Sequence, residues 1–351
     1  MRVVVYMSSI KRNNSVASRG SLRTITTISI LFVLIVISFI ISMNTGIVRL
    51  SPIDVFKTLF GSGTPRQELI LFDFRLPRIV ISILVGAGLA VSGAILQATF
   101  RNELADPGIL GINSGASLAV VLFITFFPLN ELSPIFMLPF IALLGGSLAA
   151  VLINILAYKK GYGISPSRLI ITGIAVTSGI SAALLMLTVR LDPRNFEFVT
   201  IWLSGSIWGT NWKFVLALLP WILILLPFVY FKARTIDVMN LGDYIAAGLG
   251  TSVGRDRLVL MGTAVALAGS CIAVGGGISF IGLIAPHIAR RLVGPLYRAL
   301  IPTSALIGGL LLIVADTLAR VILQPAEVPT GIVVSMIGAP YFLYLLARAR
   351  A

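Results

Sequence analysis

The sequence predicts an all-α polytopic membrane protein with about ten transmembrane helices. Of its 351 residues, 57% are hydrophobic and only 11% are charged, whereas a typical soluble domain is about 25% charged. The apolar residues also gather into runs of about 20, the length that an α-helix needs to cross a bilayer. These two observations exclude a soluble enzyme, a disordered protein and a secreted disulfide-rich domain.

Ten apolar runs are the candidate spans, and they lie at 25–43, 79–99, 112–127, 135–157, 168–189, 213–231, 257–274, 278–289, 299–323 and 328–347. The run 278–289 is short and follows the break Gly275–Gly277, so nine spans is the alternative count. The first run is too long for a signal peptide and no small-x-small cleavage site follows it, so we expect an uncleaved first span.

The basic residues predict the orientation. With ten spans, 18 of the 27 Lys and Arg residues fall in segments on the cytoplasmic side, as the positive-inside rule requires. We therefore expect a cytoplasmic N-terminal tail at 1–24, a transmembrane domain at 25–347 with a cytoplasmic loop at 232–257, and a cytoplasmic tail at 348–351. The net charge of +14 is interpreted as this bias and not as a nucleic-acid surface.

The spans contain almost no charged or metal-binding residues. Asp316 is the main charged residue within a span, and we expect it to pair with Arg320 one turn later. His287 has no second ligand at metal-binding spacing, Cys271 is expected to be a buried small residue, and no P-loop is present. The sequence therefore predicts no enzyme activity, no cofactor and no metal site, and the energy for transport would come from a separate ATPase. The alternative from another class is an ion-driven secondary transporter, which would need an essential buried carboxylate.

Two short segments predict an internal repeat. Leu89–Ile95 matches Ile272–Ile278 in its small and apolar residues, and the two lie five spans apart. An odd offset reverses the direction of the chain, so the match indicates two inverted repeats.

Several longer motifs occur in a fixed order. They are F-D-F-R-L-P-R at 72–78, N-E-L-A-D-P-G at 102–108, L-G-D-Y-I-A-A-G-L-G at 241–250, F-I-G-L-I-A-P-H-I-A-R-R at 280–291 and Q-P-A-E-V-P-T-G at 324–331. From about residue 45 to the C-terminus, the chain resembles the FecCD family of ABC-importer permeases, which carry iron–siderophore complexes, haem or cobalamin. The resemblance implies the type II importer fold of ten spans in two inverted repeats.

The resemblance also implies partners. Two permease subunits, identical or homologous, would form a dimer in the cytoplasmic membrane, with two ATPase subunits inside and a solute-binding protein outside. The segments 324–331 and 340–346 favour an iron(III)–siderophore substrate over haem or cobalamin.

Three arginines are the candidate docking residues. The resemblance implies that Arg75, Arg78 and Arg320 bind acidic residues of the solute-binding protein on the outer face. The planar guanidinium group suits carboxylates. The alternative is that these side chains extend along apolar surface and hold their charges in water.

The loop 241–250 is the candidate coupling segment. We expect a short helix capped by Asp243 and stopped by Gly248 and Gly250, and such helices suit a groove on a partner. The resemblance implies that it transmits ATPase motion, with the coupling residues Leu241, Gly242, Asp243, Ala246, Ala247, Leu249 and Gly250. A plain surface helix is the alternative.

The resemblance places a cytoplasmic gate at two positions. The first contains Asn102 and Leu104, and cobalamin-type members read N-P-L there, whereas Glu103 replaces the proline in this chain. The second contains Ser165, Pro166 and Ser167. Both are also ordinary positions for helix caps.

Overall fold

The computed structural model describes residues 2–46, 51–108, 111–126, 132–159, 163–164, 166–190, 193–324 and 326–349. These residues are almost entirely helical. The helices are α1 (Arg2–Asn44), α2 (Pro52–Leu59), α3 (Pro65–Glu68), α4 (Leu76–Phe100), α5 (Ile112–Phe126), α6 (Leu132–Ala157), α7 (Pro166–Val189), α8 (Pro193–Leu203), α9 (Trp212–Asn240), α10 (Asp243–Gly248), α11 (Val253–Gly275), α12 (Ile281–Val293), α13 (Tyr297–Ile322) and α14 (Thr330–Ala349). Two two-residue strands, β1 (Tyr158–Lys159) and β2 (Gly163–Ile164), pair antiparallel.

The chain is a multi-pass membrane protein. Seven helical stretches among the described residues are long and apolar enough to cross a membrane: Leu22–Asn44, Pro65–Phe100, Phe136–Ala157, Ile171–Val189, Trp212–Asn240, Val253–Gly275 and Tyr297–Ile322. The apolar helices Ile112–Phe126 and Thr330–Leu345 are shorter, and α12 has 13 residues. Each of the ten predicted runs therefore overlaps a helix among the described residues, and the count of ten spans stays a prediction because three of these helices are shorter than a usual span.

Helix α4 is the centre of the fold, and it packs against α9, α11, α12 and α13. Glycines let it approach its neighbours closely, as is common between helices in lipid. A Cβ atom added at Gly93 would lie 1.9 Å from the carbonyl oxygen of Gly282 in α12, and one added at Gly86 would lie 2.2 Å from that of Gly308 in α13. The backbones of three helices are thus in direct contact.

The second span begins earlier than the sequence predicts. A π-helical segment, Leu69–Arg75, joins α3 to α4, so the helical stretch runs from Pro65 to Phe100. The wider π turn ends just before Pro77, which has no N–H group to donate. As a result, the motif at 72–78 is helical and not a loop.

The predicted glycine break separates α11 from α12. Helix α11 ends at Gly275, and Gly276 has a φ of +69° while its added Cβ would lie 2.0 Å from the carbonyl oxygen of Trp202. Only glycine fits such a position without strain. Cys271 is fully buried, as predicted.

Helix α8 is an element that the sequence reading missed. Its residues lie in what the apolar runs left as an outer loop, because Arg194 and Glu197 interrupt the hydropathy. One side of α8 nevertheless packs inward through Val199 and Trp202, while Phe196 is exposed.

Candidate functional sites

The three candidate docking arginines lie together in space. Their exposed fractions are 6% for Arg75, 9% for Arg78 and 4% for Arg320, so they are beneath the surface. The guanidinium groups therefore do not extend into water in this chain on its own. The docking role itself stays a prediction.

Carboxylates of the same chain explain this burial. The Arg78 guanidinium lies 2.9 Å from Oδ1 of Asp316 in α13, and its Nη1 lies 2.8 Å from Oε2 of Glu327. Asp316 and Arg320 also form the predicted pair one turn apart, with 3.3 Å between Oδ2 and Nε. Thr330 donates a hydrogen bond of 3.1 Å to Asp316.

The end of α1 completes this outer charge network, by which we mean Arg75, Arg78, Asp316, Arg320 and Glu327. Arg75 donates to the carbonyl oxygen of Met43, and Arg320 donates to that of Thr45 at 3.1 Å. The network thus fastens α1, α4, α13 and the segment before α14 to one another.

Asp316 is fully buried, but its charge is compensated. Two arginines and one hydroxyl group contact the carboxylate. The carboxylate therefore has a partner on each of its oxygen atoms. This arrangement suits a structural ion pair better than the proton-binding carboxylate of an ion-driven transporter.

The candidate coupling segment does contain a short helix, α10. Helix α9 continues to Asn240 and α11 begins at Val253, so the loop between them is shorter than the predicted 232–257. Gly242, with a φ of +120°, is the N-cap residue, and Asp243 is the first helical residue and not the cap. The reason is that the Asp243 side chain has other partners.

Asp243 is the meeting point of two arginines. Its carboxylate accepts hydrogen bonds of 3.0 and 3.1 Å from Nη2 of Arg257 in α11, and it also contacts Nη2 of Arg101. Burial is the largest single influence and raises the pKa of Asp243, but the hydrogen bonds and charges of Arg257 and Arg101 together outweigh it and hold the pKa below its usual value of 3.8.

One side of α10 is apolar and exposed. Tyr244 is 96% exposed, and Leu241, Ile245 and Leu249 are more than half exposed. Of the predicted coupling residues, Ala247 is exposed and Ala246 is fully buried. Ala246 therefore packs against the rest of the chain, and Tyr244 and Ile245 are surface residues that the sequence reading left out.

The first candidate gate segment turns sharply after α4. Arg101 has a left-handed φ of +47°, and the amide oxygen of Asn102 accepts a hydrogen bond of 3.0 Å from the Leu104 N–H. Asp106 is buried and accepts a hydrogen bond of 2.9 Å from the Gly108 N–H. Burial raises the pKa of Asp106 to about 6.

Glu103 joins this segment to α12. Its carboxylate lies 3.0 Å from Nη1 of Arg290 and 3.6 Å from Nδ1 of His287. At the second candidate gate position, Pro166 and Ser167 begin α7, whereas Ser165 lies outside the described residues.

A cavity of about 410 Å³ is lined by residues of the candidate gate segment, the end of α9 and α12. Its lining includes Gln97, Asn102, Glu103, Leu241 and Arg290. The Oε1 atom of Gln97 is buried without a hydrogen-bond partner. The cavity brings together residues of α4, α9 and α12.

A second cavity, of about 450 Å³, lies between α5, α7, α8 and the break before α12. Hydroxyl and amide groups are frequent in its lining, which includes Asn113, Ser117, Ser181, Thr188, Thr200 and Ser279. None of the described residues that line it carries a formal charge. We call it the hydroxyl-lined cavity.

No group of three or more His, Cys, Asp or Glu side chains that could hold a metal ion occurs within the described ranges.

The chain matches known proteins along nearly its whole length. The sequence pattern of the FecCD transport family matches residues 34–348. The iron(3+)-hydroxamate import system permease protein FhuG of Bacillus subtilis (strain 168) is 55% identical over 92% of this chain and 96% of its own length. The hemin transport system permease protein HmuU of Yersinia pestis is 38% identical over 91% and 95%.

A solved structure gives the same result. A metal-chelate type ABC transporter in an inward-facing conformation is 29% identical to this chain, covers 92% of it and 98% of its own chain, and has a TM-score of 0.77. The fold that the sequence predicts, that of an ABC-importer permease, is confirmed.

Proposed function

Because the chain belongs to the FecCD transport family, we propose that it is the permease subunit of an ABC importer for iron(III)–siderophore complexes, with ferric hydroxamates as its principal substrate. In this proposal, ATP hydrolysis on a separate subunit drives passage across the cytoplasmic membrane. Both termini of the chain lie on the cytoplasmic side.

The observation that carries the substrate class is the 55% identity to a permease named for iron(3+)-hydroxamate import. The relative named for Fe(3+)-citrate import, YfmE of Bacillus subtilis (strain 168), is 47% identical, and the relative named for hemin is 38% identical. This order of sequence identities favours a siderophore over haem as the substrate.

The hydroxyl-lined cavity supports the same class. Ferric hydroxamates present oxygen-rich surfaces without strong net charge, and side chains such as Ser117, Ser181 and Thr188 can donate to or accept from such groups. We propose that this cavity contacts the substrate during passage. An uncharged lining binds weakly enough to release the substrate again.

The cytoplasmic face and the outer face of the chain each offer a surface for a partner. The exposed apolar side of α10 suits the groove of an ATPase subunit, and two such subunits would serve a permease dimer. A solute-binding protein would dock on the outer face near Arg78, where an acidic residue could compete with Glu327 for the guanidinium.

The experiment is deletion of the gene in its own organism. We expect the deletion strain to lose uptake of a ⁵⁵Fe-labelled ferric trihydroxamate and to regain it from a plasmid copy, while uptake of ⁵⁵Fe-citrate changes little. Loss of ferric citrate uptake alone would overturn the substrate class.

The same assay separates the two transport classes. An ATPase subunit that binds but does not hydrolyse ATP should abolish uptake if the chain belongs to an ABC importer. Uptake that survives this change but stops when the ion gradients are dissipated would support an ion-driven transporter.

A further inference from the structure

The end of α4 is attached to the coupling helix by one side chain. Arg101 donates a hydrogen bond of 2.7 Å to the carbonyl oxygen of Met239, in the last turn of α9, and its guanidinium also contacts Asp243 at the start of α10. Asp243 in turn holds Arg257 of α11. Any displacement of α10 therefore acts on Arg101 directly.

The opposite side of the same segment is attached to α12. Glu103 lies 3.0 Å from Arg290, and Asn102 stands between the two attached residues. A proline at position 103, as the cobalamin-type motif has it, could not form an ion pair. The replacement by glutamate thus gives this chain a connection from the gate segment to α12.

These ion pairs are well placed to break and form again. The side chains of Arg101 and Asp243 are 41% and 45% exposed, and surface ion pairs contribute little to stability because water screens them. The body of α4, by contrast, is held by backbone contacts at Gly86 and Gly93. Both of these backbone contacts lie within α4, before residue 101.

We propose that residues 101–103 transmit movement of α10 to the inner ends of α4 and α12, with Arg101 and Glu103 as positioning residues. Arg101 follows the coupling helix, and Glu103 passes the displacement to Arg290. Asn102, which lines the cavity of about 410 Å³, moves with Arg101 and Glu103. The proposal rests on the proposed function, because an ATPase must act on α10.

The test measures coupling in the complete importer. The complex is reconstituted in proteoliposomes, and the amount of ⁵⁵Fe-hydroxamate transported is divided by the ATP hydrolysed. Arg101→Gln, Asp243→Asn and Glu103→Gln should each lower this ratio about fivefold, the lower end of typical coupling between sites, while ATP hydrolysis and copurification of the ATPase are retained.

A double variant tests whether Arg101 and Asp243 act through one connection. If they do, Arg101→Gln combined with Asp243→Asn lowers the ratio no further than either change alone. The exchange Glu103→Arg with Arg290→Glu restores the opposite charges in reversed order, and it should recover part of the ratio lost in Glu103→Gln.

Lys232→Gln is the matched control. Lys232 and Asp256 form an ion pair of 2.9 Å between α9 and α11, close to the coupling loop but without a contact to residues 101–103. The ratio should stay at the wild-type value. An unchanged ratio in Arg101→Gln, or an equal loss in Lys232→Gln, would overturn the proposal. A wild-type complex that does not transport with ATP would instead contradict the proposed function.

Discussion

The outer and inner ends of α4 both carry ion pairs, but the two sets differ in burial. In the outer charge network, the Arg78 and Asp316 side chains are 11% and 1% exposed, and in the inner set the Arg101 and Asp243 side chains are 41% and 45% exposed. The same residue types are thus used in two environments. From this difference we infer that the outer end is fixed and that the inner end can move.

Burial changes what an ion pair does. A buried charge that loses its partner leaves an uncompensated charge in a medium of low dielectric constant, so the pair holds the helices in one arrangement. An exposed pair can exchange its partner for water at little cost. We therefore assign the outer network to fixing α1, α4 and α13, and the inner pairs to motion.

The largest effect is expected for Asp316→Ala. Removing this carboxylate leaves Arg78 and Arg320 buried without their shared partner, and breaking a buried pair costs about 3–5 kcal/mol. The free energy of unfolding in detergent should fall by this amount. Asp256→Ala, which frees the partly exposed Lys232 and the exposed Ser252 hydroxyl group, should cost below about 1 kcal/mol. Equal losses in the two variants would remove the distinction between the two ends.

A smaller effect is expected for Glu327→Gln, since this side chain is 24% exposed. The loss in unfolding free energy should be about 1 kcal/mol, whereas docking of the solute-binding protein should become tighter because Arg78 loses an internal competitor. Glu68→Gln, an exposed residue of α3, makes the same change of charge away from the arginines. If the two variants shift the docking Kd equally, Arg78 has no specific role.

A third effect is a difference in pH dependence at the inner end. The pKa of Asp106 is raised from 3.8 to about 6 by burial, so its contribution to stability is present below pH 3.8 and lost as the pH rises through about 6. Unfolding stability should therefore decline between pH 5 and 7, and Asp106→Asn should weaken this decline.

The pKa of Asp243 is shifted in the opposite direction. Its pKa is lowered, so its contribution is present at neutral pH and is lost only as the pH falls below 3.8. Asp243→Asn should therefore leave the slope between pH 5 and 7 unchanged. Thermal unfolding of both variants across this range checks the pair, and a changed slope in Asp243→Asn would contradict the assignment.

The spans were predictable because hydropathy is a local property. The predicted run 135–157 lies within α6 and 168–189 within α7. Elements that depend on packing were not predictable. Helix α8 is half polar, and the π-helical segment at 69–75 follows from the accommodation of Pro77 within a longer helix.

The site was predictable only in part. The pair of Asp316 with Arg320 follows from helical spacing, but Arg78 and Asp316 are 238 residues apart in sequence and nothing local indicates their contact. The same holds for Arg101, whose left-handed conformation and link to Asp243 have no signature in its neighbours. The motif nevertheless points to Asn102 and Leu104 as candidate gate residues, and Glu103 is the departure from it.

The glycine contacts of α4 have a mechanical consequence. With the backbone of Gly93 against Gly282 and that of Gly86 against Gly308, a rotation of α4 about its axis would drive neighbouring side chains into the carbonyl groups of α12 and α13. Helix α4 is therefore restricted in rotation by its contacts with α12 and α13. Movement of α10 would then displace residues 101–103 and leave the packing of α4 within the membrane unchanged.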